Sequence, residues 1–365
     1  MKKIGVLQGD YIGPEITSEA IKVLKAVEKK YHFGVELEYI AASGEAYDLY
    51  GEVLPQASID ACRGCDVLLK GPFGGPTELV NDPKWSNIER GALLPLRKIF
   101  NLFANLRYVK TMEELLDFSN VKRAVIDDID ILIVRELVSG IYFGEHGERQ
   151  TQYGRECYDV EAYNEHEISR IAQRAFELAR TRKRKVTLIG KSNILSSSVL
   201  WREVVNGMAK SYPDVALDYM HVDNASMQLI LNPRQFDVIL TTNMFGDILS
   251  DEASVLSGSI GLFPSASIGE GDFGLYEPIH GSAPTIAGKG IANPVSAILC
   301  ISMMFKYSFH HEEIAADVEA AVSKVFADGY RTIDLYDPED PKLTQVGTKA
   351  FGDLVVQNLL GYYGK

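Results

Sequence analysis

Short runs of apolar, often β-branched residues alternate along this chain with longer stretches whose apolar positions recur every three or four residues. IGVL at 4–7, VELEYI at 35–40, DVLLK at 66–70, DILIVR at 130–135, VTLIG at 186–190 and DVILTT at 237–242 predict strands, and a helix is predicted near 15–30. The clearest helix follows residue 160, where Ile168, Ile171, Ala172, Ala175, Phe176 and Ala179 form one apolar stripe. Its basic tail, RTRKRK at 180–185, places cations at a helix C-terminus. Strands alternating with helices predict an α/β fold. The 365 residues suggest two domains, at ~150 residues each, and no repeat, linker or low-complexity tract divides them.

Charge narrows the range of partners. The chain has 37 Lys and Arg against 50 Asp and Glu, a formal charge of −13. Its field therefore repels phosphate backbones and anionic membrane surfaces, and nucleic acid is not an expected partner. The longest apolar stretch, 294–305, is interrupted by serines and followed by Lys306, well short of the ~20 residues of a membrane span. The opening MKKIGVLQGD lacks the apolar core and small-residue cleavage site of a signal peptide, so a cytoplasmic address is expected. Cys62 and Cys65 form a lone C-x-x-C, with Cys157 and Cys300 remote. A structural thiol pair is the expected reading and a redox pair the alternative, because zinc lacks further ligands at short spacing.

Polar residues stand just past several strands: Arg135, Lys191 and Asn243. Ligands of open α/β sheets bind beyond the carboxyl ends of strands, so the chemistry is sought there. Gly269, Gly271 and Gly274 match G-x-G-x-x-G, yet no strand is predicted to lead into them and Pro278 obstructs a following helix. A Rossmann site is therefore not expected.

Asp247 and Asp251 lie four residues apart, on one face of a predicted helix. Like charges at that spacing repel, and a divalent cation such as Mg²⁺ or Mn²⁺, held by oxygen ligands, would compensate them. Asp223, before another helical pattern, is either an N-cap or a third ligand. Arg97, Arg107 and Arg135 offer planar forks suited to carboxylates. Beside a metal ion they describe a pocket for a di- or tricarboxylate, to which Leu93 and Leu94 would add an apolar contact.

GDYIGPE at 9–15, LRKIFNLFANLR at 96–107, VRELVSGIYFG at 134–144, GKSNIL at 190–195, NMFGDILSDEAS at 243–254 and YEPIHGSAPTIAGKGIANP at 276–294 occur in one order. Over about residues 3–360 this series resembles the β-decarboxylating dehydrogenases, in particular their isopropylmalate branch. The resemblance implies a two-domain isopropylmalate/isocitrate dehydrogenase-like fold with a mixed sheet. Residues 1–102 plus 259–365 would bind cofactor, and 103–258 would carry the metal and dimer functions, with a cleft between them and an intersubunit arm at about 141–163.

The implied activity is metal-dependent oxidative decarboxylation of a 2-hydroxy dicarboxylate with NAD as oxidant. Arg97, Arg107 and Arg135 would hold carboxylates, Leu93 and Leu94 the apolar substituent, and Asp223, Asp247 and Asp251 the Mg²⁺ or Mn²⁺. Tyr142 and Lys191 would move protons. Lys191 and Asp223, which also contacts substrate, would enter from the neighbouring subunit of a homodimer. The dinucleotide would lie on Gly74 and Gly75 of the GPFGGP loop and on Glu277, His280, Gly281, Ser282, Ala283, Thr285 and Asn293. His280 would lie against adenine, Asn293 would read its edge, and Glu277 would face the nicotinamide.

Several departures bear on specificity. Thr285 stands where the family usually has an aspartate that bonds ribose hydroxyls, so discrimination against NADP is expected to weaken, and Asp334 is a candidate for part of that role. Tyr11 replaces a glycine. An insertion in 75–90 displaces the Pro-Lys-Trp stretch, so the glutamate normally near substrate is Glu89 or missing. Gly91, Leu93 and Leu94 imply an apolar substituent. A sibling acting on D-malate or another 3-alkylmalate is the alternative. A silent regulatory subunit is the distant one, opposed by retention of the three aspartates, three arginines, Tyr142 and Lys191.

Overall fold

The computed structural model describes residues 1–361 and divides into two compact units. The first comprises Met1–Phe100, Met112–Ser119 and the chain from Ser257 onward; the second comprises Asn101–Thr111 and Asn120–Leu256.

Within the first unit the strands run in the order Val35–Tyr39, Lys2–Leu7, Val67–Lys70, Gly274–Pro278, Pro264–Ile268. Neighbours are parallel except for the last pair, which is antiparallel. Val67–Lys70 is buried along its whole length, as a parallel strand covered on both faces must be, which is why its sequence is a continuous apolar run. Helix Gly13–Tyr31 starts with Pro14 in its first turn and ends on His32 in the left-handed conformation, burying Ile16, Ala20, Val23, Leu24 and Val27. That spacing puts one apolar stripe on the helix predicted near 15–30. Helix Val295–Tyr307 is buried from Val295 to Phe305; it packs on Gly13–Tyr31, on Glu312–Ala327 and on the strand pair. No helix among the described residues is long and apolar enough to cross a membrane.

One expectation about this unit is corrected. Strand Pro264–Ile268 does lead directly into Gly269, and Gly274 opens the returning strand, with Ile268 opposite Gly274. PSASI does alternate, Pro264, Ala266 and Ile268 against Ser265 and Ser267, but its residues are mostly small and only Ile268 is a strong strand former, so the signal is weak although the strand is buried throughout. The glycines belong to a hairpin turn rather than to a strand–helix junction, and the Rossmann geometry is absent at this motif.

In the second unit the order is Ala104–Lys110, Asp130–Glu136, Val238–Thr241, Lys185–Gly190, Ala216–His221, antiparallel in the first pair and parallel afterwards. Helix Glu165–Arg180 buries the six residues of the predicted stripe, and Asn164 and Glu167 close its N-terminus as a capping box. Only Arg180 of the basic tail lies in the last turn. Arg182 instead pairs with Asp130 and Asp237, and Lys185 with Asp218, so structural ion pairs absorb these charges. His146–Thr151 and Gly154–Asp159 form a separate, mostly exposed hairpin. Cys62, Cys65 and Cys300 are buried and free, and Cys157 is exposed and free. Burial pushes the Cys62 and Cys65 thiols up to about 12 and about 11, which disfavours the reactive thiolate.

Candidate active site

In the second unit the antiparallel pair Ala104–Lys110 and Asp130–Glu136 aims its arginines at one helix. Arg135 pairs across the ladder with Asn105, and Arg107 stands two residues further along, on the same face. Helix Asn243–Ser254 lies against both. A Cβ on Gly246 would sit 2.6 Å from Cγ of Arg135, so only glycine lets the helix rest on that side chain. Arg135 donates Nε and Nη2 to Oδ1 of Asn243 at 3.1 and 2.7 Å and Nη1 to Oδ1 of Asp247. Arg107 donates to Asn105 Oδ1 (2.9 Å), Ser250 Oγ (2.6 Å), Asp247 Oδ1 (3.0 Å) and Asp251 Oδ1 (3.2 Å). Both guanidinium groups are buried, and their hydrogen-bonded partners fix them in place.

Asp247 and Asp251 do share a helix face, and in this chain the compensating positive charge is the arginine pair. Burial raises the Asp251 pKa, with Arg107 opposing and Asp247 adding to the rise. Tyr142 donates to Asp247 Oδ2 at 3.2 Å; burial, followed by the Asp247 charge, raises its phenol pKa and keeps the proton on oxygen. Lys191, just past its strand, donates Nζ to Asp223 Oδ1 at 2.6 Å, and this hydrogen bond holds the Asp223 carboxyl low. Asp223 lies in the first turn of helix Val222–Leu231, whose N-cap is His221, so it is not the cap. One chain does not gather the three aspartates: among the described residues no group of three His, Cys, Asp or Glu is placed to hold a metal ion.

The first unit contributes a different kind of centre. Glu277 is buried between Lys70 Nζ at 2.5 Å and Arg97 Nη2 at 3.2 Å. Burial alone would raise its pKa, but Lys70 and Arg97 overcome that and hold it at about 2. Glu277, expected to face a nicotinamide, is therefore committed to these two cations. Arg97, expected to meet a carboxylate, keeps a buried Nε without a partner. Leu93 and Leu94 are half-buried where the π-turn Glu89–Leu93 passes into helix Leu94–Ile99.

Around this centre three loops meet. Gly74, at φ +133°, donates its N–H to Asp10 Oδ2 at 2.8 Å and accepts from Ser282 Oγ at 2.8 Å. The Ile12 N–H reaches the Ser282 carbonyl at 3.1 Å. Ala283 is left-handed at φ +43°, and Thr285 lies exposed in the turn Pro284–Ile286. Burial lowers the His280 pKa; its Nδ1 contacts the Gly281 carbonyl, and Nε2 is buried without a partner. A Cβ on Gly281, Gly288 or Gly290 would meet open space. Asn293 spends its amide on Asp334 Oδ2 at 3.0 Å and its carbonyl on the Val295 N–H at 3.0 Å, and Asp334 also accepts from Ser259.

Four groups escaped the sequence reading: Asp10, Lys70, Ser250 and Glu136. Lys70, a cation closing a wholly apolar strand, carried a usable signal. Glu136, adjacent to Arg135 and fully buried, accepts the N–H groups of Val138 and Ser139 at 3.1 and 3.0 Å, and burial pushes it up to about 7.

A mixed-sheet α/β fold carries paired arginines over a carboxylate helix and a glycine-rich loop outside any Rossmann motif, and comparison with known proteins assigns it to a class of dehydrogenases. Residues 3–355 match the isocitrate/isopropylmalate dehydrogenase model, and the chain belongs to that family. It is 48% identical over 363 residues to a 3-isopropylmalate dehydrogenase of Clostridium pasteurianum, covering 98% of this chain and 99% of that protein. The corresponding Xanthomonas euvesicatoria enzyme is 50% identical over 360 residues, with the same coverage. Among solved structures, isocitrate dehydrogenase from Methylococcus capsulatus superposes with a TM-score of 0.86 at 34% identity, covering 99% of this chain and 100% of that one.

Proposed function

We propose that this chain catalyses the NAD-linked, divalent-metal-dependent oxidative decarboxylation of 3-isopropylmalate to 4-methyl-2-oxopentanoate, a step of leucine biosynthesis, as a cytoplasmic homodimer. The observation that carries this reading is the convergence of Arg107 and Arg135 on Asp247 with Tyr142 alongside, an anion clamp built against a carboxylate donor set.

The residues fit a hard cation. Asp247 and Asp251 offer carboxylate oxygens on successive helical turns, the chemistry that Mg²⁺ or Mn²⁺ takes. Bound there, the ion would supply Lewis acidity toward the substrate's 2-hydroxyl and adjoining carboxylate. They fit a dinucleotide as well. The open glycines at 281, 288 and 290 and the unpartnered His280 Nε2 leave room and a polar atom for it, and NAD would accept the hydride from C2.

Lys191 takes the proton of the 2-hydroxyl. Arg107 and Arg135 hold carboxylates, and Arg97 is the third such arginine. Once the β-carboxylate has left as CO₂, Tyr142, which keeps its proton, protonates the enolate carbon. Leu93 and Leu94 receive the isopropyl group. Gly74, Gly75, Ser282, Ala283 and Thr285 border the dinucleotide, with His280 against adenine.

Because one chain does not assemble the third aspartate with the other two, Asp223 and Lys191 are read as the partner subunit's contribution. Exposed Met227 and Leu231 on helix Val222–Leu231, and Ile248 on the packed neighbouring helix, supply apolar surface for that contact, and the hairpin 146–159 is read as the intersubunit arm.

The test is NADH formation from 3-isopropylmalate with Mn²⁺, lost on adding EDTA, with light scattering to establish a dimer. No turnover by folded dimer rejects the reading. A panel of 3-substituted malates with NAD and NADP in parallel decides between this substrate and D-malate or another 3-alkylmalate, and measures what Thr285 permits.

A further inference from the structure

Asp10 is buried and accepts three hydrogen bonds. Its Oδ2 takes the Ser43 hydroxyl at 2.5 Å and the Gly74 N–H at 2.8 Å; its Oδ1 takes the Gly44 N–H at 3.1 Å. Its own N–H bonds the Pro72 carbonyl at 2.8 Å. One carboxylate thus ties together three separate segments, around residues 9–13, 43–44 and 72–74. The segments also touch backbone to backbone: a Cβ on Gly71 would lie 2.1 Å from the Gln8 carbonyl oxygen, and one on Gly9 2.5 Å from that of Pro72.

The insertion supplies a brace over this knot. The Trp85 ring covers Gly75 and Gly44, where added Cβ atoms would meet it at 2.3 and 2.6 Å, and it lies 5.5 Å from the Tyr11 ring. Lys84 anchors the brace through Asp48 at 2.6 Å. Tyr11 sits at φ +51°, a conformation costly for a side chain, and the contact with Trp85 offsets that cost.

We propose that Asp10 is a positioning residue for the dinucleotide, acting through Gly74 to hold the 71–76 loop against Ser282, with Trp85 as its lid. The inference rests on the reading that these loops take the dinucleotide. Gly74 is gripped on both sides, its N–H by Asp10 and its carbonyl by Ser282. With Asp10 intact the loop is ordered before the ligand arrives; without it, binding must do the ordering and affinity drops. An asparagine has one acceptor oxygen and an NH₂ that faces donors, so it cannot satisfy all three.

The experiment is calorimetric titration of the full-length protein with NADH, alongside steady-state kinetics in 3-isopropylmalate. Asp10→Asn is expected to weaken NADH binding about tenfold to a hundredfold while the KM for the dicarboxylate stays within about twofold of the unaltered protein. Unchanged NADH affinity overturns the proposal, and so does a parallel rise in both constants, which is what general loosening gives. If Asp10→Asn does not fold, Ser43→Ala, which removes one donor, decides by the same criteria at about two- to fivefold.

Gly281→Trp serves as the control on the site itself. If it leaves NADH binding intact, the dinucleotide lies elsewhere and the underlying reading fails. If it abolishes binding while Asp10→Asn has no effect, the site stands and only the role of Asp10 is wrong.

Discussion

Two buried glutamates, one in each unit, have opposite electrostatics. Glu277 touches two full cations and is held at about 2, whereas Glu136 is met chiefly by two backbone N–H groups and rises to about 7. Arg170 approaches Glu136 only to 4.0 Å. Desolvation pushes both carboxyls upward; what decides the outcome is whether charges or dipoles answer it. Glu277 is thus an anion that neutralises one of two buried cations, leaving net positive charge around Arg97. Glu136 is a carboxyl that can be neutral near pH 7, bracing the turn 137–139 behind Arg135.

The largest expected effect comes from breaking the first of these. Glu277→Gln strands Lys70 and Arg97 in the interior, and urea unfolding should show a loss of about 3–5 kcal/mol. Because the folded pKa lies below the ordinary 4.5, the Glu277 contribution is complete above pH 4.5 and vanishes as pH falls through about 2.

Glu136 has the opposite sign. Its folded pKa lies above 4.5, so stability is greatest below that value and declines as pH rises from 4.5 through about 7, by on the order of 3 kcal/mol. Glu136→Gln imitates the protonated acid and should remove that decline, read as the difference between variant and parent in urea titrations from pH 5 to pH 8. Equal slopes for the two proteins would show that the carboxyl is not raised.

Arg135→Lys tests the function that this brace supports. The lysine cannot bridge Asn243 and Asp247 with a planar fork, and kcat/KM for the dicarboxylate should fall about a hundredfold, roughly 2–3 kcal/mol, with NADH affinity retained. The smallest effect belongs to Arg170→Gln, which removes the distant cation near Glu136. The carboxyl midpoint, followed by ¹³C NMR, should rise by less than about one unit.

Much of this was legible in the order of residues. Continuous apolar runs located strand Asp130–Glu136, which takes in Arg135 rather than ending before it, and strand Lys185–Gly190, which ends just before Lys191. The 3.6-residue period located the stripe from Ile168 to Ala179, because burial leaves a local signature. The pairing of Asp247 with Asp251 was legible for the same reason, four residues being one helical turn. The Lys70–Glu277–Arg97 centre was not, since Glu277 lies about two hundred residues from both cations and, although Lys70 closes an apolar strand, nothing local pairs it with Glu277. The clasp at Asp10 was hidden inside a glycine-rich motif whose backbone, not its side-chain pattern, brings the loops together. Pro264–Ile268 escaped because its alternation is carried by Pro, Ala and Ser, residues that rarely mark a strand.

The first unit is assembled from both ends of the chain, with strand Val67–Lys70 lying beside Gly274–Pro278. On a ribosome adding ~5–20 residues per second, the earlier strand waits on the order of 10–40 s for its neighbour. The second unit, nearly continuous in sequence, can close during that interval. Nascent first-unit strands therefore spend that time with unpaired edges, and chaperone demand during synthesis should concentrate on the opening hundred residues rather than on the middle of the protein.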